Sequence, residues 1–105
     1  MKEIQINSKQ LKDVLADLKF LDQHATKMIL RSINDKGIAS TADLVTQFRG
    51  ELTPTTISNT LSELTKMNLL TKDWKDVSVN YFINYLQVQT LNDFFEEFQM
   101  KTTLW

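Results

Sequence analysis

The sequence predicts a mainly α-helical domain with one small β-hairpin. The turn-forming residues Gly37, Gly50 and Pro54 all lie in the middle of the chain, where tight turns are therefore concentrated. On both sides of that region, apolar residues recur at the three- and four-residue spacing of amphipathic helices. Within residues 69–84 the apolar period falls to two, which indicates strands. These patterns fit a single domain over residues 1–105.

Composition and net charge indicate which classes of protein the chain can belong to. The 105 residues are 42% hydrophobic and 24% charged, which is typical of a folded globular chain. The formal net charge is -1. Nucleic-acid binders more often carry a basic excess, so this value counts against DNA binding. It does not exclude it, because the distribution of charge matters more than the sum.

The chain has no cysteine, so disulfides and thiolate metal sites are excluded. It also has no basic-then-apolar leader and no apolar run of about 20 residues, the length needed to span a bilayer. We therefore expect a cytoplasmic protein without a membrane segment. Neither a nucleophile–base pair nor a glycine-rich phosphate loop is visible, so we expect no enzyme activity and no cofactor.

Two helices are predicted in the first third of the chain. The first is capped by Asn7 or Ser8, and its apolar face consists of Leu11, Val14, Leu15, Leu18 and Leu21. The second begins at Asp22 or His24, and Gly37 ends it in a left-handed conformation. Its apolar stripe consists of Met28, Ile29 and Ile33.

The third helix follows a short extended segment at residues 38–39. Residues 40–43 read Ser-Thr-Ala-Asp, an S-x-x-D pattern that resembles a capping box. Gly50 follows the end of this helix. The side chains expected to point inward are Leu44, Val45 and Phe48.

Residues 53–68 form a candidate recognition helix. Thr53 can cap its first turn, and Pro54 suits the first helical position, where no backbone N–H is needed. One face carries Ile57, Leu61 and Leu64. The other face offers Thr55, Thr56, Ser58, Asn59 and Ser62. Lys and Glu would suit a merely solvated surface better, because Ser and Thr are mediocre helix formers. Short polar side chains can instead approach a DNA groove closely and hydrogen-bond base edges or phosphates.

A hairpin and a last helix complete the predicted order. Val79, Tyr81 and Ile83 alternate along one strand, and Leu69, Leu70, Thr71 and Trp74 indicate its partner. The turn falls at residues 75–76 or 76–77. The helical period returns from about Tyr85. The order of four helices, a hairpin and a helix is that of a winged helix-turn-helix, in which a hairpin flanks the recognition helix.

Residues 28–83 resemble the winged helix-turn-helix regulators of the ArsR type. The run Ile29-Leu30-Arg31-Ser32-Ile33 with Gly37-Ile38 is similar to that family's helix followed by a short strand. Thr56-Ile57-Ser58 with Leu61 and Leu64 resembles its recognition helix. Asn68-Leu69-Leu70 resembles its exit into the wing, and Val79 and Tyr81 resemble the apolar pair on its second wing strand. The resemblance implies a transcriptional repressor that binds operator DNA.

Four departures from the family pattern bear on mechanism. Ser40 and Ala42 fall where many members carry a Cys-x-Cys metal pair, and the last helix has no His. We therefore expect no thiolate metal sensing. The turn at residues 50–52 is one residue longer than the family's usual spacing. The wing lysines are offset by Asp73 and Asp76, whereas relatives often carry several Arg.

DNA contacts are predicted on the recognition helix and the wing. Phosphates would be neutralised by Arg49, Lys66, Lys72 and Lys75. Bases or phosphates would be contacted by Thr55, Thr56, Ser58, Asn59 and Ser62. Trp74 would touch DNA or a ligand, or pack on the hairpin.

Homodimerisation is predicted through the two terminal helices. Adjacent Phe94 and Phe95 point about 100° apart, so the last helix has a broad apolar sector suited to both the core and a second subunit. The predicted interface consists of Leu11, Leu15, Leu18, Leu91, Phe94, Phe95 and Phe98. His24 and the carboxylates Asp93, Glu96 and Glu97 are expected to be surface residues.

The leading hypothesis is a homodimeric repressor that inserts the candidate recognition helix into double-stranded DNA. Two alternatives stay open. One is a winged-helix module that binds another protein, which the acidic balance and neutral wing favour. The other is a sensor of a small organic molecule at the dimer interface, lined by Tyr85 and the phenylalanines of the last helix. The operator, the regulated genes and any effector are not given by the sequence.

Overall fold

The computed structural model describes residues 16, 17, 19–75 and 78–97, and of Lys75, Phe94, Phe95 and Glu97 it describes the backbone alone. Residues 16, 17 and 19–21 are helical. The elements that follow are α1 (His24–Lys36), β1 (Ala39–Ser40), α2 (Thr41–Gln47), α3 (Pro54–Lys66), β2 (Leu70–Lys75), β3 (Ser78–Ile83) and α4 (Tyr85–Glu97). The predicted class, mainly helical with a hairpin, is confirmed.

Helix α1 begins at His24, one of the two predicted starts, after Gln23 in an extended conformation. Its buried face includes Ile29 and Ile33, both 0% exposed. Gly37 ends the helix at φ 82° and donates its backbone N–H to the carbonyl of Ile33 at 2.8 Å. A residue with a Cβ would be strained at that φ, so glycine is needed to turn the chain towards β1.

Helix α2 starts with the predicted capping box. The Ser40 hydroxyl accepts from the Asp43 N–H, and the Asp43 carboxylate accepts from the Ser40 N–H, both at 3.1 Å. The pKa of Asp43 is lowered, chiefly by the hydrogen bond from the Ser40 backbone and then by the hydrogen bond with the Ser40 side chain. The nearby charge of Lys36 also lowers the pKa of Asp43. Leu44 is 0% exposed on the inner side of the helix.

The strands form an antiparallel sheet in the order β1-β3-β2. The register of the hairpin pairs Leu70 with Ile83 and Lys75 with Ser78, so the connection consists of residues 76–77. The second predicted turn position, 76–77, coincides with that connection, and the first, 75–76, overlaps it at residue 76 alone; the connection itself lies outside the described residues. The extended segment predicted at 38–39 is shifted by one residue, because Ser40 pairs with Asn80 while it caps α2.

The core lies between the sheet, α1 and α3. Its largest fully buried side chains are Ile29, Ile33, Leu44, Ile57, Leu61, Leu64, Leu69 and Thr26. The Thr26 hydroxyl has no hydrogen-bond partner among the residues that the structure describes. None of the helices in the described ranges is long and apolar enough to cross a membrane.

Candidate nucleic-acid interface

Helix α3 is the candidate recognition helix, and both predicted start signals are confirmed. Thr53 is extended, and its hydroxyl accepts the backbone N–H of Thr56 at 3.1 Å. Pro54 occupies the first helical position. Since helix starts leave backbone N–H groups without intrahelical partners, this cap defines where α3 begins and therefore which residues its first turn presents.

The end of α3 is a Schellman motif built on an asparagine. Asn68 has φ 62°, and its N–H donates to the carbonyl of Thr65 at 3.0 Å. The N–H of Leu69 donates to the carbonyl of Leu64 at 3.0 Å, and both leucines are 0% exposed. The chain therefore reverses tightly from α3 into β2, which keeps the wing next to the helix. A left-handed Asn68 was not predicted, although asparagine is the commonest residue after glycine at such positions.

The apolar side of α3 fixes the helix against the domain. Ile57, Leu61 and Leu64 are between 0% and 1% exposed. Helix α3 packs against α1, α2 and β2. Because buried side chains hold α3 against three other elements, the helix cannot rotate freely about its axis. Its opposite side therefore points in a fixed direction from the domain.

That opposite side carries a continuous polar stripe. Residues 55, 58, 59, 62 and 66 follow one another at spacings of three, one, three and four, which places them within about 100° on an α-helix. All are exposed. We call this set the polar stripe, and it consists of Thr55, Ser58, Asn59, Ser62 and Lys66. It is uncharged from its start to Ser62 and ends in one cation.

Several other hydroxyls of this segment have structural roles. Thr60 is only 5% exposed. The Thr65 hydroxyl donates to the carbonyl of Leu61 at 2.7 Å. Thr56 is half-buried, and its hydroxyl accepts from the Thr53 hydroxyl at 2.9 Å. The abundance of Thr and Ser is thus partly explained by capping and packing. Thr56 lies at the edge of the polar stripe, and its DNA contact stays a prediction.

Three of the four predicted phosphate-binding cations are exposed, and the side chain of the fourth is not described. Arg49 is exposed in the turn between α2 and α3. Lys66 is exposed at the last turn of α3 and lies 3.4 Å from Glu63, a solvent-exposed pair that releases the lysine at little cost. Lys72 is exposed on β2, and the Lys75 side chain is outside the described part of the structure.

Strand geometry separates the wing charges that offset each other in the sequence. Lys72 and Asp73 are adjacent on β2, so their side chains leave opposite faces of the sheet. Lys72 pairs with Tyr81, and Asp73 pairs with Asn80. Tyr81 is buried, which identifies the Lys72 face as the one that continues from the core. The wing is therefore neutral in sum but not on each face.

A polar contact not predicted from the sequence holds α2 against α1. The side-chain oxygen of Gln47 accepts from the Ser32 hydroxyl and from the Lys36 ammonium, both at 2.6 Å. Ser32 is only 4% exposed. Because Gln47 is the last residue of α2, the contact fixes the helix end that leads into the turn before α3. No spacing rule relates residues this far apart in sequence.

The predicted dimer interface is described only in part. Leu91 is half-buried and packs against the core. The side chains of Phe94 and Phe95 are not described, and Leu11, Leu15, Leu18 and Phe98 lie outside the described ranges. At the start of α4, Tyr85 is 55% exposed and donates its hydroxyl to Asn34 at 2.7 Å, whereas Leu86 is 79% exposed. The interface stays a prediction.

Titratable side chains do not converge in the described ranges. No group of three or more His, Asp or Glu there is arranged to hold a metal ion. His24 is exposed at the start of α1, and Asp93 and Glu96 are exposed on α4. Surface positions are therefore observed for these three, as predicted.

Three solved structures share this fold. The AntR antimony-specific transcriptional repressor matches with a TM-score of 0.59 and 19% identity, over 95% of this chain and 93% of that chain. NolR from Sinorhizobium fredii matches with a TM-score of 0.63 and 18% identity, over 95% and 99% of the two chains. Apo-NmtR matches with a TM-score of 0.60 and 20% identity, over 95% and 83%.

No protein-family model and no curated protein sequence matches the chain. At 18% to 20% identity the likeness to the solved structures is one of fold, and it extends over nearly the whole of this chain. It confirms the architecture that the resemblance to ArsR-type regulators predicted, and the chain is a winged helix-turn-helix protein.

Proposed function

We propose that this protein is a sequence-specific DNA-binding regulator of transcription that represses by occupying an operator. The observation that carries the proposal is the polar stripe of α3, because it is exposed, continuous and turned away from a tightly packed apolar face. Hydroxyl and amide groups of short side chains can reach base edges in the major groove, which is wide enough to admit an α-helix. The fold shared with a known repressor supports the same role.

In this mechanism α3 lies in the major groove, and its stripe makes the base contacts. Asn59 is central in the stripe and can donate and accept at once, as recognition of adenine requires. Thr55, Ser58 and Ser62 contact neighbouring bases or phosphates. Arg49, Lys66, Lys72 and Lys75 neutralise phosphates, so affinity falls with added salt by about 0.9 logarithmic units per logarithmic unit of salt for each phosphate contact.

We further propose that the DNA-binding species is a homodimer formed by the terminal helices. A two-fold dimer would present two copies of α3 to half-sites about 34 Å apart, one turn of DNA, on a roughly palindromic operator. Dimerisation also offsets the small number of predicted phosphate-binding cations in each chain, because phosphate contacts from two subunits add. A chain without cysteine cannot sense metal through thiolates, so any effector has a different chemistry.

The test is a binding titration with the DNA immediately upstream of the protein's own gene, at low and at physiological salt. We expect a saturable shift at low salt, competition by the same unlabelled fragment and weaker competition by a scrambled one. A folded protein, shown as such by circular dichroism, that binds neither fragment at low salt would overturn the proposal. Analytical ultracentrifugation of the same samples tests the dimer separately.

A second candidate function is a winged-helix module for protein binding. The observation in its favour is that no charged residue occurs from Thr53 to Ser62, the part of α3 that would approach DNA first. The two functions differ in salt dependence, since DNA binding must weaken steeply as salt rises. The sensor hypothesis adds a ligand to the first function and predicts release from DNA when a small organic molecule binds near Tyr85.

A further inference from the structure

One side chain of the wing is not accounted for by packing or by the predicted phosphate contacts. Trp74 lies on β2 and is 66% exposed, although tryptophan buries more apolar area than most residues when it is packed. The sequence left open whether it packs on the hairpin. The structure shows that most of the residue faces solvent.

The register of the hairpin places Trp74 on a particular face. Leu70 pairs with Ile83 and Trp74 pairs with Val79, and these four residues share a face because side chains alternate along a strand. Leu70 and Ile83 are at most 5% exposed on the core. The face that carries Trp74 is therefore the outward continuation of the core face, beyond the last buried pair.

The same face is directed towards the side of the domain on which α3 lies. Strand β2 packs against α3, and Leu70 is buried in the core to which Leu61 and Leu64 also belong. Going outward along β2 from Leu70, the face passes through Lys72 to Trp74. A duplex whose major groove held α3 would therefore have its flanking backbone next to this part of the wing.

Charge distinguishes this face from its reverse. The Lys72 ammonium lies 6.0 Å from the centroid of the Trp74 ring, within reach of a cation–π attraction. Asp73 leaves the opposite face, and none of the described β2 and β3 residues that share the Trp74 face is acidic. An exposed aromatic ring beside a cation that has no acidic neighbour on this face among the described residues is chemically suited to a sugar–phosphate backbone, whose deoxyribose presents apolar C–H groups and whose phosphate is anionic.

We propose that Trp74 is a DNA-contact residue, whose ring packs against deoxyribose at the edge of the minor groove while Lys72 binds the adjacent phosphate. The proposal rests on the DNA-binding function above and adds a contact that is not mainly electrostatic. A ring packed on deoxyribose contacts no base edge, so Trp74 raises the affinity for all sites to a similar degree. The wing thereby adds affinity to the hydrogen bonds that the polar stripe of α3 makes.

The test uses Trp74→Ala, Trp74→Phe and Lys72→Ala in the full chain, with the upstream DNA as the probe. Thr71→Ala is the matched control, because Thr71 is exposed on the same strand but leaves the opposite face. We expect Trp74→Ala to weaken binding about tenfold without changing the salt slope, and Trp74→Phe to retain most of the affinity. Lys72→Ala should reduce the salt slope by about one for each subunit that contacts DNA, and Thr71→Ala should bind as the unaltered protein does.

A spectroscopic measurement gives an independent readout. The chain has two tryptophans, so Trp105→Phe leaves Trp74 as the only indole emitter. On addition of DNA we expect its emission to change and its quenching by acrylamide to decrease. If the protein binds DNA while Trp74 stays equally accessible to acrylamide and Trp74→Ala binds normally, the proposal is wrong and the proposed function stands. Failure of the unaltered protein to bind DNA overturns both, and protection of Trp74 by a protein partner alone would assign the ring to protein docking.

Discussion

The two faces of α3 differ in what they determine. Ile57, Leu61 and Leu64 are at most 1% exposed and connect the helix to the rest of the domain. The polar stripe on the other side is exposed along its whole length. One helix therefore carries the residues that stabilise the domain and those of the proposed DNA contact on two different sides, with buried and exposed positions alternating every few residues. Substitutions on the two faces should affect different measurements.

The largest expected effect is on the buried face. Leu61→Ala should lower the free energy of unfolding by about 2 to 5 kcal/mol, because it removes buried methyl groups and leaves a cavity that the packed surroundings fill only partly. Chemical denaturation monitored by circular dichroism measures the change. The matched control is Ser62→Ala at the next position, which should change stability by less than about 0.5 kcal/mol. Equal losses from both variants would contradict the separation.

The next effect is on the polar stripe. Replacing Asn59 and Ser62 together with Ala should weaken binding to the upstream DNA by about thirtyfold or more, since each of the two lost base contacts is worth about 1 kcal/mol or more. Stability should hardly change, because both side chains are exposed. The titration and a melting curve are recorded on the same preparation. A large loss of stability would mean that these residues are structural.

A pair of threonines distinguishes the helix start from its surface. Thr53→Ala removes the hydroxyl that accepts the Thr56 N–H, and we expect a loss of about 1 kcal/mol in the free energy of unfolding. Thr55→Ala, two residues later on the exposed stripe, should be neutral or slightly stabilising, because alanine is the better helix former. The same chemical change is thus expected to destabilise the protein at Thr53 and not at Thr55. Equal destabilisation by both would refute the assignment of the cap.

The smallest expected effect is the pH dependence of the helix caps at the starts of α2 and α3. The α2 cap contains a carboxylate whose pKa is below its ordinary value of 3.8 in the folded state. Its contribution is therefore present above that value and is lost as the pH falls through the lower, folded pKa. The stability difference between Asp43→Ala and the unaltered protein should be a fraction of a kcal/mol at neutral pH and shrink in acid. The Thr53→Ala difference should be independent of pH over the same range, since no ionisable group takes part in that cap.

Elements that depend on neighbouring residues were predictable from the sequence. The capping box at Ser40 and Asp43, the proline start of α3 and the left-handed Gly37 are local, and each is confirmed. Periodicity likewise predicted the buried Ile57 and the alternation around Tyr81. In these places a short stretch of chain satisfies its own backbone groups, so few residues suffice to determine the conformation.

Contacts between distant residues were not predictable in the same way. The bonds from Ser32 and Lys36 to Gln47 depend on how α2 packs on α1, and no spacing reveals them. Which hydroxyls are exposed and which are structural depends on the orientation of α3, which places Thr60 in the core and Ser58 outside. The separation of Lys72 from Asp73 required the strand register. The charges of Lys72 and Asp73 cancel when the sequence is summed, but the sheet places the two side chains on opposite faces.

The double role of Ser40 has a consequence for how the molecule opens. Its backbone pairs with Asn80 in the sheet, while its side chain caps the helix that leads to α3. Fraying of the short β1 strand would therefore also uncap α2, and the reverse holds. In native-state hydrogen exchange, the amides of β3 and of the first turn of α2 should therefore open together as one cooperative unit. The wing would then unfold with the helical domain and not independently of it.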